Sequence, residues 1–364
     1  MNTLLVTSTV EGTGKTAVAI ALARLARARG ASVGYMKPKG TRLQSVTGKT
    51  RDEDPMLAKA LLDLDAAVHE LEPLVYSRTF IEGALRGREE PAALRERIRT
   101  NFEDLASGTD LMVVEGNRLS TGGIVDLTDA AVADLLDART LLVTRYGSPE
   151  DVDDVLAAAA DLGEGLEGVL FNAVPDAEYE SLTEDVMPFL DGRGIPSAGA
   201  VPRDADLAGV SVADLAENLG AEILTDGAGT EAILERFAVG AMSSDSALKL
   251  FRRTRNAVVI TGGDRPDIQR AALEASGVEC LLLTGGYRPP SAVLGTAEER
   301  GVPVILVDTD TRRTIDRTEA TMHAGQTRNA ETVERMEDLL VDAVDVDGLL
   351  DLPEGVEGES VEDA

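Results

Sequence analysis

The sequence has one cysteine, no tryptophan, two histidines and six lysines. A single cysteine, Cys280, excludes a disulfide framework, a thiolate metal cluster and a Cys-x-x-Cys redox pair. It lies within Val278-Glu279-Cys280-Leu281-Leu282-Leu283, an apolar run that reads as core rather than as the setting of a nucleophile. His69 and His323 stand apart from each other and from any carboxylate at ligand spacing, which argues against a histidine metal site or triad. No apolar run reaches the length of a membrane span, and no leader or lipidation motif is visible, so no membrane association is expected. Positive charge is scarce too: 35 Lys and Arg face 65 Asp and Glu, a formal net charge of −30. With no basic patch, nucleic acid and anionic membrane are excluded as partners.

The acidic residues are spread over every predicted helix rather than gathered in a block. Self-repulsion of this size destabilises a compact state in dilute buffer and is tolerated where salt shortens the screening length. The composition therefore reads as a cytoplasmic, halophilic protein from a salt-accumulating organism. A moderately acidic protein of an ordinary cytoplasm is the alternative.

A length of 364 residues allows two domains, each with its own core. Short apolar runs at Leu4–Val6, Ser32–Met36, Leu111–Val114, Thr140–Thr144, Gly168–Phe171 and Ala198–Val201 alternate with segments of helical spacing. This pattern predicts an α/β fold over residues 1–222, a mostly parallel sheet with helices on both faces. The polar stretch Thr225-Asp226-Gly227-Ala228-Gly229-Thr230 marks a linker at 223–230. A smaller α/β domain is expected over 231–344, with strands at Val258–Thr261, Leu281–Thr284 and Val304–Val307. Residues 345–364 are acidic and aperiodic and read as a disordered tail.

The most informative segment is Gly12-Thr13-Gly14-Lys15-Thr16, between the strand Leu4–Val6 and the Ala-rich helix that follows. Strand, Gly-rich turn, Lys-Thr and helix bring backbone N–H groups, a helix N-terminus and an ammonium around one small volume, which suits a polyphosphate. The full P-loop pattern wants Gly six residues before the lysine, where this chain has Thr9. The shorter ending keeps the essentials. Gly12 and Gly14 admit the phosphates, Lys15 bridges β- and γ-oxygens, and the Thr16 hydroxyl ligates Mg²⁺. An empty, decayed loop is the alternative.

Three further features point the same way. Lys37 and Lys39, two of the six lysines, close the second strand and read as anion contacts. The carboxylates of Asp52-Glu53-Asp54-Pro55, Asp54 among them, hold Mg²⁺ through water, or Asp54 caps a helix with proline at its first position, or both. Glu115 ends the apolar strand Leu111–Val114 and would reach metal or γ-phosphate beside the loop. In the second half, Gly262-Gly263-Asp264-Arg265 and Gly285-Gly286-Tyr287-Arg288 each follow an apolar strand and a threonine. Either they are tight strand-to-helix turns, or they form a ligand site at strand carboxyl ends, as the paired arginines suggest.

Taken in order, Thr9, Lys15-Thr16, Lys37-Pro38, Asp54, Glu115-Gly116 and Asn172 make the first 220 residues resemble the dethiobiotin synthetase-like P-loop family. That resemblance implies that Asn172 contacts adenine and that Pro202, in Gly199-Ala200-Val201-Pro202, belongs to the same nucleotide site. Gly263-Asp264-Arg265-Pro266-Asp267-Ile268-Gln269, followed by Leu283-Thr284-Gly285-Gly286, resembles the DRTGG domain. Joined, the two resemble the amino-terminal arrangement of long-form phosphate acetyltransferases, where the pair is regarded as regulatory. Two departures bear on activity. No acetyltransferase catalytic domain follows, so acetyl transfer between CoA and phosphate is not expected of this polypeptide. Asn117-Arg118-Leu119 stands where the synthetases carry a small-residue, Gly-rich turn, with Gly122-Gly123 displaced, which sets aside their diamino-acid substrate.

These readings lead to two functional expectations. In the first, the chain is a regulatory nucleotide sensor. ATP and Mg²⁺ sit in the first domain, and a second ligand lies at Gly262, Gly263, Asp264, Arg265, Gly285, Gly286 and Arg288. Its partner is a separate acyl-phosphate or acetyl-CoA enzyme. In the second, it is an ATP-dependent ligase working through an acyl- or carbamoyl-phosphate, with Lys15, Lys37 and Glu115 as the catalytic set. Both place Mg²⁺ at Thr16, Asp54 and Glu115, and the resembling synthetases imply a homodimer. A glutaminase-coupled synthetase would need a Cys–His pair that this sequence lacks.

Overall fold

The computed structural model describes residues 1–41, 43–46, 49–204, 207, 209–225, 229–324 and 330–352. They form two compact units, Met1–Arg203 with Thr327–Ala364, and Asp204–Gln326.

The first unit is built on six strands: β1 (Asn2–Ser8), β2 (Val33–Met36), β3 (Leu111–Arg118), β4 (Arg139–Thr144), β5 (Leu166–Val174) and β6 (Ser197–Pro202). Their order across the sheet is β6-β5-β4-β1-β3-β2, and every neighbouring pair is parallel. Leu4, Leu5 and Val6, like Met112, Val113 and Val114, are fully buried. Strands covered on both faces carry unbroken apolar runs, which is why alternation is missing from them. Helix α1 (Lys15–Ala28) follows β1 and is buried along nearly its whole length, from Thr16 to Ala26. Because the strands are parallel, their carboxyl ends share one edge, and the loops leaving that edge carry the candidate site.

The second unit holds β7 (Glu222–Ile223), β8 (Arg236–Val239), β9 (Ala257–Gly262), β10 (Val278–Thr284) and β11 (Val304–Leu306), in the order β7-β11-β10-β9-β8. All pairs are parallel except the antiparallel edge formed by β7. Cys280 is fully buried here among Val258, Ile260, Leu282 and Ile305, and burial pushes its thiol pKa up, in keeping with a core residue.

Two boundaries differ from the sequence reading. The helix Val212–Leu219 was assigned to the first domain, yet Val212, Leu215, Ala216 and Leu219 pack into the core of the second unit with Val258 and Ile260. An apolar face goes where it finds cover, so the crossing lies at 203–204 rather than at 222–230. Residues 226–228 of the expected linker lie outside the described residues. The chain also returns. Helix α4 (Ala330–Ala343), numbered after α2 (Glu53–Leu61) and α3 (Pro266–Leu273), packs on α1 through buried Val333, Met336, Leu339 and Leu340. Helix α5 (Val346–Leu350) follows, with Val346, Leu349 and Leu350 buried, so the segment expected as tail begins as packed structure. The acidic residues 353–364 lie outside the described residues.

Candidate functional site

The loop between β1 and α1 has the backbone that a polyphosphate needs. Gly12 and Gly14 take φ of 71° and 81°, a left-handed region that side chains with a Cβ avoid. At Gly14 there is a second reason for glycine: a Cβ would run into the carboxamide of Asn172. Gly14 is the N-cap of α1, with no side-chain cap and no acidic residue in the first turn. Its N–H groups and dipole are thus left to whatever lies in front of the loop. Thr13 is almost fully buried, and its hydroxyl has no hydrogen-bond partner among the described residues.

Behind the loop stands Glu115, fully buried on β3. The hydroxyl of Thr16 donates to Oε1 and the phenol of Tyr35, on β2, donates to Oε2, each across 2.7 Å. Lys37 lies 3.5 Å from Oε1 of Glu115 and 3.1 Å from Oδ2 of Asp52, and it also binds the carboxylate of Asp54. Burial alone would pull the Lys37 pKa down. The carboxylates of Asp54, Glu115 and Asp52 outweigh it and hold the ammonium above its ordinary value. Lys15 is half-buried at the loop, and its pKa falls: burial lowers it, Glu115 offsets part of that, and neighbouring Lys37 lowers it again. Burial raises the Glu115 pKa, with Lys37 pulling it down and Asp54 pushing it up. Burial, then the Glu115 charge, raises the Tyr35 phenol.

Two sequence assignments change at this point. The N-cap of α2 is Asp52, whose Oδ1 accepts from the Asp54 N–H at 2.9 Å, and not Asp54; Pro55 follows in the first turn rather than at its start. The anion that Lys39 meets is the chain's own Asp129 carboxylate. The lysine is buried, donating to the carbonyls of Thr121 and Leu127 and to Oδ1 of Asp129, at 2.7, 2.5 and 2.8 Å. Asp129 also accepts from the Thr7 hydroxyl and the Asn117 N–H, so Lys39 and Asp129 pin the 117–129 loop beneath the site.

The carboxyl ends of β4, β5 and β6 complete the rim. The Asn172 amide donates to the Thr13 carbonyl at 2.8 Å and its oxygen accepts from Ala173 N–H at 2.9 Å, so it holds the phosphate loop from the side. The Thr9 and Thr144 hydroxyls meet at 2.8 Å. Pro202 ends β6 and is exposed. Arg145, just past β4, donates to the Gly12 carbonyl; burial and the neighbouring Arg203 lower its pKa. Sequence reading missed Tyr35 and Arg145, and named Asp52 only within an acidic segment, not as the cap. Only Arg145 carried a usable signal, a basic residue at the carboxyl end of an apolar strand.

The donor set suits Mg²⁺. Thr16 Oγ1 and Glu115 Oε1 lie 2.7 Å apart, near the edge of an octahedron with metal–oxygen bonds of about 2.1 Å. Among the described residues no group of three or more His, Cys, Asp or Glu is disposed to hold a metal alone. Mg²⁺ does not require one, since it takes one or two protein oxygens and fills the rest with phosphate and water.

In the second unit the two Gly-Gly turns touch. The Gly263 N–H donates to the Thr284 carbonyl at 3.1 Å, and a Cβ on Gly263 would collide with the Tyr287 carbonyl oxygen. The Gly285 and Gly286 N–H groups donate to Thr309 and Val307. Arg265 binds Asp267 and the Met242 carbonyl, Arg288 pairs with exposed Glu222, and Asp264 stands beside Gly262. The Gln269 amide donates to the Gly262 and Gly263 carbonyls, both at 3.0 Å, while its oxygen is buried without a partner among the described residues. The geometry thus gives each glycine pair and Arg265 a role within the turn.

Comparison with known proteins places this architecture. Residues 2–211 match the AAA domain family and residues 214–321 the DRTGG domain. Phosphate acetyltransferase of Haemophilus influenzae is 27% identical over 339 residues, covering 83% of this chain and 46% of that protein. The chain therefore spans about half the length of the curated relatives it matches. ATP-dependent dethiobiotin synthetase of Frankia casuarinae is 30% identical over 219 residues, 57% of this chain and 86% of that protein. A ParA family ATPase from Chlorobium tepidum is 19% identical over 57% of this chain and 86% of its own, with a TM-score of 0.37. The chain belongs to the AAA domain family of P-loop proteins and joins that domain to a DRTGG domain. Among the described residues, no helix is long and apolar enough to cross a membrane.

Proposed function

We propose that this chain is a regulatory nucleotide-binding protein of the cytoplasm, taking ATP with Mg²⁺ at the P-loop unit. The observation that carries this reading is convergence: the uncapped start of α1, Lys15 and the Glu115–Thr16 pair all border one volume. Lys15 bridges the β- and γ-oxygens. Thr16 and Glu115 hold the metal, with Asp54 acting through water, and the metal neutralises phosphate charge. Asn172 and Pro202 border the adenine. A second ligand on the DRTGG unit, at Gly262, Gly263, Asp264, Arg265, Gly285, Gly286 and Arg288, belongs to the proposal, as do a homodimer and a partner enzyme handling acyl phosphate or acetyl-CoA.

A second reading is an ATP-dependent synthetase, favoured by the 30% identity to the dethiobiotin synthetase. Lys15 and Lys37 would then stabilise the transferring phosphoryl group. Asn117-Arg118-Leu119, standing where the resembling synthetases carry a small-residue, Gly-rich turn, favours the sensor. Calorimetric titration of ATP–Mg²⁺ in molar KCl, with phosphate release followed in parallel, separates the two. Binding without turnover supports the sensor, and turnover that rises with one added metabolite supports the synthetase. Absence of binding refutes both.

A further inference from the structure

Lys37 sits in a cage of carboxylates. Asp52 Oδ2 is 3.1 Å away, Glu115 Oε1 is 3.5 Å away and Asp54 is in direct contact, while no side chain of the four is more than 5% exposed. Lys37 faces the oxygens that a metal would use.

We propose that the Lys37 ammonium is a resident cation which holds the metal position closed until metal and triphosphate arrive together. The inference rests on the P-loop unit being a site for nucleotide and Mg²⁺. Oε1 of Glu115 is shared between Thr16, at 2.7 Å, and Lys37, at 3.5 Å, so the metal and the ammonium compete for one oxygen. A divalent ion entering beside a seated ammonium meets a like charge at ion-pair distance in a site with little water to screen it. The ammonium cannot simply leave, because the buried carboxylates of Asp54 and Glu115 would lose a countercharge that touches them or lies within ion-pair distance. A triphosphate changes this by offering Lys37 new anionic oxygens, while the metal neutralises the carboxylates Lys37 gives up. Each ligand removes the obstacle to the other, and the coupling is reciprocal. Asp52 remains in place throughout, because it caps α2 through the Asp54 N–H and accepts from the Thr41 N–H.

The test uses Mn²⁺ alone, in molar KCl, with free Mn²⁺ read from its paramagnetic resonance signal. The wild-type chain is expected to leave Mn²⁺ free, and a non-hydrolysable ATP analogue to raise Mn²⁺ affinity at least about tenfold. Lys37→Met is expected to take up Mn²⁺ without nucleotide and to lose most of that coupling. Should the single variant fail to fold with that countercharge removed, Lys37→Met/Asp52→Asn removes one negative charge and keeps Asp54, Glu115 and Thr16. Uptake of Mn²⁺ by wild type as tight without nucleotide as with it overturns the proposal, as does a folded variant that takes up none. Nucleotide affinity equal in EDTA and in Mn²⁺ would also overturn it while leaving the nucleotide reading intact. No nucleotide binding at all would defeat that reading instead, and Mn²⁺ uptake by the variants would still report on the cage.

Discussion

Tyr35 donates its phenolic hydrogen to Glu115 across 2.7 Å, with both side chains fully buried. With Thr16 on the other oxygen, the carboxylate is fixed in plane and rotation. Tyr35→Phe removes one donor from a buried acid and keeps the ring. Stability is expected to fall by about 1.5–3 kcal/mol, as for a hydrogen bond to a charged group, read from urea denaturation at fixed KCl. Metal affinity in the presence of nucleotide is expected to fall about tenfold through the loosened carboxylate.

Lys15 gives a pH signature. Burial lowers its pKa below the ordinary 10.5, so the nucleotide-free fold disfavours the charged form. Its contribution to stability therefore becomes more favourable as pH rises through the lowered pKa toward 10.5, while phosphate affinity weakens over the same window. Calorimetry between neutral and alkaline pH should show this decline in wild type. Lys15→Ala should bind nucleotide at least about a hundredfold more weakly at neutral pH, with no such decline. Unchanged affinity in the variant would displace the phosphates from this loop.

Lys39 separates a structural lysine from a ligand-binding one. Lys39→Met strands the buried Asp129 carboxylate, and thermal denaturation should report a loss of about 3–5 kcal/mol. Well below the melting transition, ATP affinity should stay within about twofold of wild type. A loss matching that of Lys15→Ala would restore Lys39 to the phosphate site.

Much of the first unit was legible because parallel strands covered on both faces must be apolar throughout, and Leu4–Val6 or Leu111–Val114 can be little else. The backbone of the loop after β1 was legible because Gly12 and Gly14 take a left-handed φ that residues with a Cβ avoid. Tyr35 and Lys39 were not. Their roles depend on partners 80 and 90 positions away, Glu115 for Tyr35 and Asp129 for Lys39, and no local pattern encodes such a meeting. The domain boundary was misplaced for a related reason: the helix Val212–Leu219 is amphipathic wherever it docks, and only the packed core decides which unit it joins.

The net charge of −30 makes salt a variable of stability. Far-UV circular dichroism followed from molar KCl to tens of millimolar should show loss of structure toward the dilute end. A spectrum unchanged across that range would remove the halophilic reading.

Leu340, fully buried on α4, which packs on α1, should cost about 2–5 kcal/mol as Leu340→Ala, measured by denaturation in the same KCl buffer. A loss below about 1 kcal/mol would mean that α4 contributes little to holding α1 in place.

The return of residues 330–350 to the first unit carries a consequence for biosynthesis. When the first 203 residues have left the ribosome, the phosphate loop and its helix exist, but the flank of that helix has no cover until more than a hundred further residues have been translated. The nascent polypeptide must therefore complete its middle body before its first body can mature. Separating the gene at codon 204 would yield an opening fragment lacking part of its own interior.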